Sequence, residues 1–411
     1  MNEISFKSSF PRIRFNGIED MWQHIELSDI SVKVIEKNVK NDFDIVLTNS
    51  AEFGIVLQRD FFDKDIANLK SLSGYYVVQP NDFVYNPRIS NKAPVGPIKA
   101  NFLNITGVIS PLYYVFRTQN IDVFFLAKYF DSSYWHKFMK LNGDTGARSD
   151  RFAIKDSVFK EMPIPFPSLA EQSAIGTLFR TLDDLLDSYK DNLTNYQSLK
   201  ATMLSKMFPK AGQTVPDIRL DGFEGEWEEK EFGDVVKFYS GLTYKPSDVL
   251  SCGTLVLRSS NVRDGELIYI DNVFVNPDIV NCQNVKSGDI VVVVRNGSRD
   301  LIGKHALIRS EMPNTVIGAF MTGIRCDNPE FINSLLDTKM FISEIHRNLG
   351  STINQITTGN FKRMKFYFPL KAEQQAIGSY FSNLDNLINS HQEKISQLET
   401  LKKKLLQDMF I

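Results

Sequence analysis

The stretch AEQSAIGTLFRTLDDLL at residues 170–186 returns near the other end of the chain as AEQQAIGSYFSNLDNLI at residues 372–388. Ten of the seventeen positions are identical, so the two stretches are copies within an internal repeat. The same offset of 202 residues pairs Phe166 with Phe368, Pro167 with Pro369, Leu199 with Leu401, Met207 with Met409 and Phe208 with Phe410.

A second shared block lies far upstream of each copy. PRIRFNGIEDMW at 11–22 resembles PDIRLDGFEGEW at 216–227, at an offset of 205 residues. We call these two blocks the leading segments. Each repeat therefore consists of a leading segment, a long body of dissimilar sequence and a shared tail.

The two bodies are predicted to be mixed α/β. Strand-like runs rich in β-branched and aromatic residues are bounded by Gly, Pro, Asn or Asp. They are YYVVQ (75–79), DFVYN (82–86), PLYYVF (111–116), GTLVLRS (253–259) and DIVVVVR (289–295). Short helices are predicted at 121–140 and 329–348, where apolar residues recur every three or four positions. One faint similarity between the bodies is NDFV at 81–84 against GDIV at 288–291.

The shared tails are predicted to be long helices with a seven-residue apolar repeat. The first stripe includes Ile175, Phe179, Leu182, Leu186 and Leu193, and the second includes Ile377, Phe381, Leu384, Ile388 and Ile395. Lys200 and Lys402 interrupt the two stripes at the same place, which favours two helices that pack against each other as an antiparallel coiled-coil rod. The alternative is two separate surface helices, each covering its own body. Ser168 and Glu171 predict a capping box at the start of the first helix.

Composition excludes several classes of protein. The chain has 411 residues with 43% hydrophobic and 23% charged residues, which is typical of a globular protein with two or three domains. The three cysteines form no CxxC pair, which argues against a zinc ribbon or a disulfide framework. No export signal or membrane span is indicated, so we expect a cytoplasmic location. The net charge is −2, so the chain as a whole is not a polycation, and a nucleic-acid surface would have to be a local basic patch.

The repeated motifs resemble those of the specificity (S) subunits of type I DNA restriction–modification systems. The resemblance extends over essentially the whole chain. It comprises a PxIRFxGF-type leading segment followed by Trp, the pattern PLxxEQxAIGxxFxxLDxLI at the start of each long helix, and an LKxxxLxxMF ending. One copy would be suggestive, whereas two copies around divergent bodies are specific.

The resemblance implies two target recognition domains, each reading one half of a bipartite DNA site, separated by two antiparallel helices with a pseudo-twofold relation. The implied division is a first recognition domain with its leading segment (1–164), a central spacer helix (165–210), a second recognition domain with its leading segment (211–366) and a carboxy-terminal spacer helix (367–411). The helices would set the spacing and dock two methyltransferase (M) subunits. Catalysis would reside in the partners: S-adenosylmethionine in the M subunits, and ATP and Mg in the restriction (R) subunits.

Candidate DNA-contacting residues are hydrogen-bond donors in loops beside the predicted strands, where they could reach base edges or phosphates. In the first body they are Asn86, Arg88, Ser90, Asn91, Lys92 and Lys99, joined by Arg148, Ser149 and Arg151. In the second body they are Ser259, Asn261 and Arg263, then Arg295, Asn296, Ser298, Arg299 and Lys304 with His305, then Thr352, Asn354 and Gln355. Any one of them alone could be an ordinary solvated loop residue, so the clusters are the prediction.

Other functions have weaker support. The stretch Gly297–His305 superficially resembles a phosphate-binding P-loop, but it has five residues between its glycines and His after Lys304. None of the five histidines belongs to an HxxxH or HExxH arrangement, and no carboxylate cluster suggests a nuclease. A scaffold that organises two partner proteins remains the alternative. The charge of residues 286–309, five Lys or Arg against two Asp, favours DNA.

Overall fold

The chain folds into two units that are interleaved in sequence. A computed structural model describes residues 10–62, 69–145, 150–349 and 354–411, without the side chains of 69–71. The first unit contains the residues up to 189 together with 394–411, and the second contains residues 190–393. The first unit is therefore completed by a segment that follows the whole of the second.

The body of the first unit is built on a four-stranded antiparallel sheet. The strands of this unit are β1 (Gln23–Glu26), β2 (Ser31–Lys33), β3 (Leu47–Ser50), β4 (Gly54–Leu57), β5 (Tyr76–Val78), β6 (Phe83–Tyr85), β7 (Ile98–Ala100), β8 (Gly107–Ile109), β9 (Tyr114–Thr118) and β10 (Pro163–Phe166). The main sheet has the order β2-β9-β6-β7, while β3-β4, β5-β8 and β1-β10 form antiparallel pairs. The pair β1-β10 joins the end of the leading segment to the residues that precede the long helix.

The body of the second unit repeats this order. Its strands are β11 (Glu228–Glu231), β12 (Lys237–Ser240), β13 (Val249–Leu250), β14 (Thr254–Leu257), β15 (Val262–Arg263), β16 (Glu266–Leu267), β17 (Val273–Val275), β18 (Ile290–Val293), β19 (His305–Leu307), β20 (Thr315–Ile317), β21 (Met321–Arg325) and β22 (Lys365–Phe368). The sheet β12-β21-β18-β19 corresponds strand for strand to β2-β9-β6-β7, and β11-β22 corresponds to β1-β10. The other sheet, β13-β17-β14-β20, includes the parallel pair β14-β20.

The helices are short within the bodies and long in the tails. They are α1 (Leu27–Ile30), α2 (Gln58–Phe61), α3 (Val123–Asp131), α4 (His136–Asn142), α5 (Asp156–Phe159), α6 (Leu169–Lys206), α7 (Phe232–Val235), α8 (Pro329–Leu336), α9 (Lys339–Asn348), α10 (Thr358–Arg363) and α11 (Lys371–Asp408). All five predicted strands are present: four are shorter than predicted, and the strand predicted at 111–116 is shifted to Tyr114–Thr118. Each of the two predicted short helices is divided in two, as α3–α4 and α8–α9. In the second case Thr338 begins a new helix by accepting a hydrogen bond from the backbone N–H of Phe341.

The long helix α6 has only half of its predicted capping box. The hydroxyl of Ser168 accepts a hydrogen bond from the backbone N–H of Glu171 at 3.3 Å, as the sequence predicted. The Glu171 side chain is engaged elsewhere, with a residue of the leading segment. The reciprocal half of the box was therefore wrong. No helix in the part of the chain that the structure describes is both long and apolar enough to cross a membrane.

The start of one long helix packs against the end of the other within each unit. In the first unit the rings of Phe179 and Phe410 lie 6.2 Å apart, and in the second those of Phe381 and Phe208 lie 6.1 Å apart. The stripe residues that are buried are Ile175, Phe179, Leu182 and Leu186, together with Ile377, Phe381, Leu384 and Ile388, whereas Leu193 and Ile395 are half-buried. The predicted apolar stripes are thus the buried faces of both helices.

The Met-Phe pair that ends each tail closes an aromatic core. Phe410 contacts Trp22 and Phe125 in the first unit, with ring centroids 6.4 and 5.5 Å apart. Phe208 contacts Trp227 and Phe331 in the same way in the second, at 6.0 and 5.6 Å. The repeated ending LKxxxLxxMF is therefore explained by packing, since each pair fills the core of the unit in which its helix ends.

Replacing Phe410 by Ala is expected to destabilise the first unit by about 3 kcal/mol or more, the usual cost of deleting a buried phenyl ring. Hydrogen exchange should accelerate at the backbone amides around Trp22 and Phe125 and stay unchanged around Phe331. The matched variant Phe208→Ala should have the opposite distribution. Equal acceleration in both units with either variant would contradict this assignment.

Candidate nucleic-acid interface

A buried salt bridge joins each leading segment to the start of a long helix. Nε and Nη2 of Arg14 donate to the two carboxylate oxygens of Glu171 at 2.7 and 2.8 Å, and Glu171 is completely buried. Arg219 makes the same two bonds to Glu373, each at 2.7 Å. A guanidinium that binds a carboxylate through two parallel bonds fixes orientation as well as distance. The Arg of PxIR and the Glu of AEQ are therefore structural partners.

The glutamine that follows each of these glutamates is also buried. The Gln172 amide donates to the carbonyl of Pro167 at 2.8 Å and accepts from the backbone N–H of Asp122 at 2.9 Å. Gln374 donates likewise to the carbonyl of Pro369 at 2.9 Å. Each glutamine thus ties the helix start to the strand before it and to the start of a body helix, since Gln374 also accepts a hydrogen bond from Nδ2 of Asn328, the residue before α8, at 3.1 Å.

The repeated glycines allow a helix of each body to approach a long helix closely. A Cβ at Gly176 would lie 2.8 Å from Oδ1 of Asp122 and 3.1 Å from the backbone N of Phe125. At Gly378 it would lie 2.7 Å from the backbone N of Phe331. Any larger residue would separate α3 from α6 or α8 from α11. AEQxAIG is therefore the motif that attaches each body to its helix.

The two lysines that interrupt the apolar stripes form ion pairs between the long helices. In the second unit, Nζ of Lys200 on α6 lies 2.7 Å from carboxylate oxygens of both Asp385 on α11 and Asp337 at the end of α8. In the first unit, Nζ of Lys402 on α11 lies 2.5 Å from Asp183 on α6. The pairs Lys200–Asp385 and Lys402–Asp183 are related by the sequence repeat, so each helix supplies the lysine of one pair and the aspartate of the other.

An aspartate at the end of a body helix extends each of these pairs. In the first unit, Lys128 bridges Asp183 at 2.7 Å and Asp131 at 2.9 Å. Asp131 occupies the place that Asp337 has in the second unit. Burial alone would raise the pKa of each aspartate, but neighbouring side chains outweigh it and lower both pKa values to about 2. These neighbours are Lys99 and Lys128 beside Asp131, and His305 and Lys200 beside Asp337.

The faint similarity between NDFV and GDIV marks a further shared bond. Asp82 is buried and accepts two bonds from Arg117 at 2.7 and 2.8 Å, which link the start of β6 to β9. Asp289 accepts the same two bonds from Arg325, both at 2.7 Å, which link β18 to β21. The two sheets therefore share a buried anchor at the end opposite their variable loops.

The loops after β18 bring three distant pieces of sequence together. Nδ2 of Asn296 donates to the hydroxyl of Ser259 at 3.1 Å, and the backbone N–H of Asn296 donates to the carbonyl of Asn354 at 3.3 Å. Arg295 and Gln355 pair as an isolated antiparallel bridge. We define the second polar cluster as Ser259, Arg295, Asn296, Ser298, Arg299, Asn354 and Gln355. Arg295, Ser298 and Arg299 are exposed, and the other members are partly exposed.

The first unit has a corresponding group after β6. Arg88 and Arg151 pair as an isolated antiparallel bridge, and Nδ2 of Asn86 donates to the carbonyl of Asn49 at 2.9 Å. We define the first polar cluster as Asn86, Arg88, Ser90, Asn91, Lys92 and Arg151. Arg88 holds the place in the β6–β7 loop that Arg295 holds in the β18–β19 loop, and each is bridged to a later segment of its own body. The bridge between the loop and a later segment is thus repeated in the two bodies, although the loop sequences differ.

Both clusters border concave surfaces. The first lies beside a cavity of about 450 Å³, to which Arg88, Ser90, Asn91 and Lys92 contribute. A larger cavity of about 690 Å³ lies beside the second, with Ser259 and Phe320 in its lining. Arg263, on the β15–β16 hairpin, and Lys304, at the start of β19, are exposed in the same body.

Some of the predicted contact residues have internal roles. Asn261 is completely buried, and its Nδ2 donates to the carbonyls of Ile268 and Ile270 at 3.1 and 3.2 Å, so it supports a loop instead of facing outward. Lys99 binds Asp131 at 2.6 Å on the side of the sheet that packs against α3. Asn86 is mostly buried and stabilises its loop through the hydrogen bond to the carbonyl of Asn49. Three further candidates lie outside the described residues: Arg148, Ser149 and Thr352.

Sequence reasoning missed Phe320. Its side chain is 52% exposed, and the guanidinium of Arg295 lies 4.9 Å from its ring centroid. The candidates were chosen as hydrogen-bond donors, and a phenyl ring is not one. The sequence offered no signal for this residue, because no strands were predicted on either side of it.

The alternative chemistries gain no support from the described residues. The P-loop-like stretch leads through a short turn, Arg299–Leu301, into strand β19, whereas a phosphate-binding loop leads into a helix. No group of three or more His, Cys, Asp or Glu side chains that could hold a metal ion occurs among residues 10–62, 69–145, 150–349 and 354–411. The three cysteines are free thiols.

Comparisons with known proteins agree with this geometry. Residues 224–400 match the family model described as the type I restriction modification DNA specificity domain. The chain is 25% identical over 267 residues to the type I restriction enzyme MjaVIII specificity subunit of Methanocaldococcus jannaschii, a match that covers 62% of each chain. It is also 25% identical over 190 residues to the StySPI specificity subunit of Salmonella potsdam, over 44% of this chain and 41% of that one.

A crystal structure of the type I restriction–modification S subunit from M. genitalium has the same fold. Its TM-score is 0.62 at 15% identity, covering 98% of this chain and 99% of the other. Residues 224–400 are thus similar to a type I DNA specificity domain, and the chain shares the fold of that S subunit structure. The chain is therefore similar to type I restriction–modification specificity (S) subunits. The matches span 62% and 41% of the lengths of the two curated relatives.

The ion pairs at the ends of the body helices predict a loss of stability in acid. Because the pKa of Asp337 is lowered from 3.8 to about 2, its charged form stabilises the fold above pH 4, and this contribution is lost as the pH falls from 4 to 2. Urea unfolding between pH 2 and 4 should therefore depend less steeply on pH in Asp337→Asn than in the wild type. Asp278→Asn, at an exposed carboxyl, serves as the control. An unchanged slope in Asp337→Asn would exclude the charge network.

Proposed function

We propose that this chain recognises a bipartite DNA sequence for a type I restriction–modification complex, with each body reading one half of the site. The observation that carries the proposal is the pair of polar clusters. They sit at the same end of matching sheets, on loops that differ in sequence, while the bonds that hold each body to its helix are repeated nearly unchanged. A protein that reads two different half-sites through one repeated frame needs this combination.

The chemistry of the clusters suits duplex DNA. Guanidinium groups such as those of Arg295 and Arg299 can donate two bonds to the O6 and N7 atoms of guanine, and the asparagines can pair with adenine. Exposed cations also bind phosphates, which fix the register of a protein on the duplex. The bridges between loops hold these donors in place before binding, which lowers the entropy lost on association.

The long helices are proposed to set the distance between the two half-sites. Each contains 38 residues, or roughly 57 Å at 1.5 Å per residue, and each begins in one unit and ends in the other. Their apolar stripes and the pairs Lys200–Asp385 and Lys402–Asp183 support an antiparallel coiled-coil rod with a pseudo-twofold relation between the units. The exposed faces of the rod are the proposed docking surface for two methyltransferase subunits.

Catalysis is assigned to the partners in this proposal. Methyl transfer would use S-adenosylmethionine held by the M subunits, and cleavage would use ATP and Mg held by the R subunits. The role of this chain would be to place those subunits on DNA. The competing function is a scaffold whose bodies recognise protein surfaces. Genome-wide mapping of modified bases with and without the gene separates the two, because only a specificity subunit makes a bipartite motif disappear on deletion.

Binding of the assembled methyltransferase complex to a duplex that carries its site should weaken steeply as salt rises, because bound phosphates release counterions. Replacing Arg299 by Ala should lower affinity and reduce the log–log salt slope by about one if the guanidinium binds a phosphate. Lys230→Ala, on β11 at the helix end of the body, is the control and should leave the slope unchanged. The absence of DNA binding even at low salt would reject the proposed function.

Lengthening the paired helices together should change the spacing of the site and leave its half-sites intact. A seven-residue insertion near 191 in α6, matched by one near 393 in α11, preserves the apolar stripes and adds roughly 10 Å. The spacer in the recognised DNA should grow by one to about three base pairs, at 3.4 Å per pair. Sequencing of modified genomic DNA gives the readout. Exchanging residues 230–362 should instead alter one half-site, and a half-site altered by the insertion would contradict the rod.

A further inference from the structure

Both bodies carry an exposed apolar side chain on the same turn beside their polar clusters. Phe320 is 52% exposed in the turn between β20 and β21. Leu112 is 58% exposed in the turn between β8 and β9, and aligning Arg117 with Arg325 places it opposite Phe320. The two turns share a hydrogen bond: the N–H of Met321 donates to Gly318 at 2.9 Å, and that of Tyr113 donates to Ser110 at 3.1 Å. Large apolar character is thus retained at this place although the bodies diverge.

The turn that presents Phe320 is rigidly held. The N–H groups of Gly318 and Ala319 donate to the carbonyls of Leu257 and Leu242 at 2.8 and 2.9 Å. The carbonyl of Phe320 accepts hydrogen bonds from the backbone N–H of Arg295 at 3.2 Å and from that of Val294 at 3.0 Å. A half-exposed phenyl ring on a backbone fixed from several sides is costly to leave in water, and it loses little entropy when it is covered.

The surroundings of Phe320 indicate what covers it. The Arg295 guanidinium lies against its ring, so a cation and an aromatic face form one surface within the second polar cluster. Nucleic acid suits both groups, because it offers phosphates to the cation and flat bases to the ring. Apolar side chains of this type are known to enter between base pairs and partly unstack them.

We propose that Phe320 is a wedge that inserts between two base pairs of the second half-site, with Leu112 in the equivalent role in the first. The inference rests on the proposed function and adds to it a specificity determinant that forms no hydrogen bond. Part of the sequence preference would then come from how readily a base step opens, since pyrimidine–purine steps unstack most easily. Arg295 would follow the ring and bind beside the opened step.

The test uses the complex of the full chain with its methyltransferase subunits and a duplex carrying the mapped site. The base analogue 2-aminopurine is placed at successive positions of the second half-site, and donor and acceptor dyes at the duplex ends report bending. Wild type should raise the fluorescence at one step and bend the DNA. Phe320→Ala should abolish both signals and weaken specific binding about 10-fold to 100-fold, the range for losing one stacked base.

Four comparisons make the result specific. Phe320→Trp should restore the signals, whereas Leu370→Ala, at a 76% exposed leucine before α11, should leave them unchanged. The salt slope should stay the same in Phe320→Ala, because no phosphate contact is lost. Non-specific binding should also stay the same.

Several results would overturn the wedge. One is a wild-type complex that binds its site with no fluorescent step, and another is an alanine variant that binds and bends DNA normally. Loss of assembly with the methyltransferase subunits in Phe320→Ala would show that the ring contacts protein. Absence of any site-specific binding by the wild type would reject the proposed function itself, and the wedge with it.

Discussion

The arrangement of each unit depends on a completely buried glutamate at the start of a long helix. Removing a carboxylate from water costs several kcal/mol, and a well-aligned cation offsets much of that cost. Arg14 and Arg219 supply it from the leading segments, about 155 residues earlier in the chain than Glu171 and Glu373. Loss of either partner would leave an uncompensated buried charge, which commonly costs 3–5 kcal/mol. The bond therefore fixes where the body begins relative to the helix.

Around this bond, each unit separates what must stay constant from what can vary. The AEQxAIG residues, the Lys–Asp pairs and the sheet anchors Asp82 and Asp289 form the constant part. The loops after β6 and β18 lie beyond those anchors and have bridges of their own, Arg88–Arg151 and Arg295–Gln355. A change of loop sequence therefore leaves the attachment of the body untouched. This separation lets the loop sequences diverge within a chain whose helix contacts are preserved.

Periodicity and repetition were sufficient to predict the long helices, their buried stripes and the mixed α/β character of the bodies. They could not pair Arg14 with Glu171, because nothing in a local pattern indicates a partner so distant. They also assigned Glu171 to a cap, since a capping box and a buried ion pair place Glu at the same position. Asn261 was misjudged for a related reason: a polar side chain satisfied by two carbonyls looks the same in sequence as one that faces solvent.

The order of the segments in the chain has a consequence for biosynthesis. The second unit occupies the continuous residues 190–393, whereas the core of the first contains Met409 and Phe410. Domains fold as their residues leave the ribosome, in the order of synthesis. Here the second unit has all of its residues before the first unit does. Until Phe410 is synthesised, Trp22 and Phe125 lack the ring that packs against them. A chain that ends before Met409 therefore has a first unit with an incomplete core.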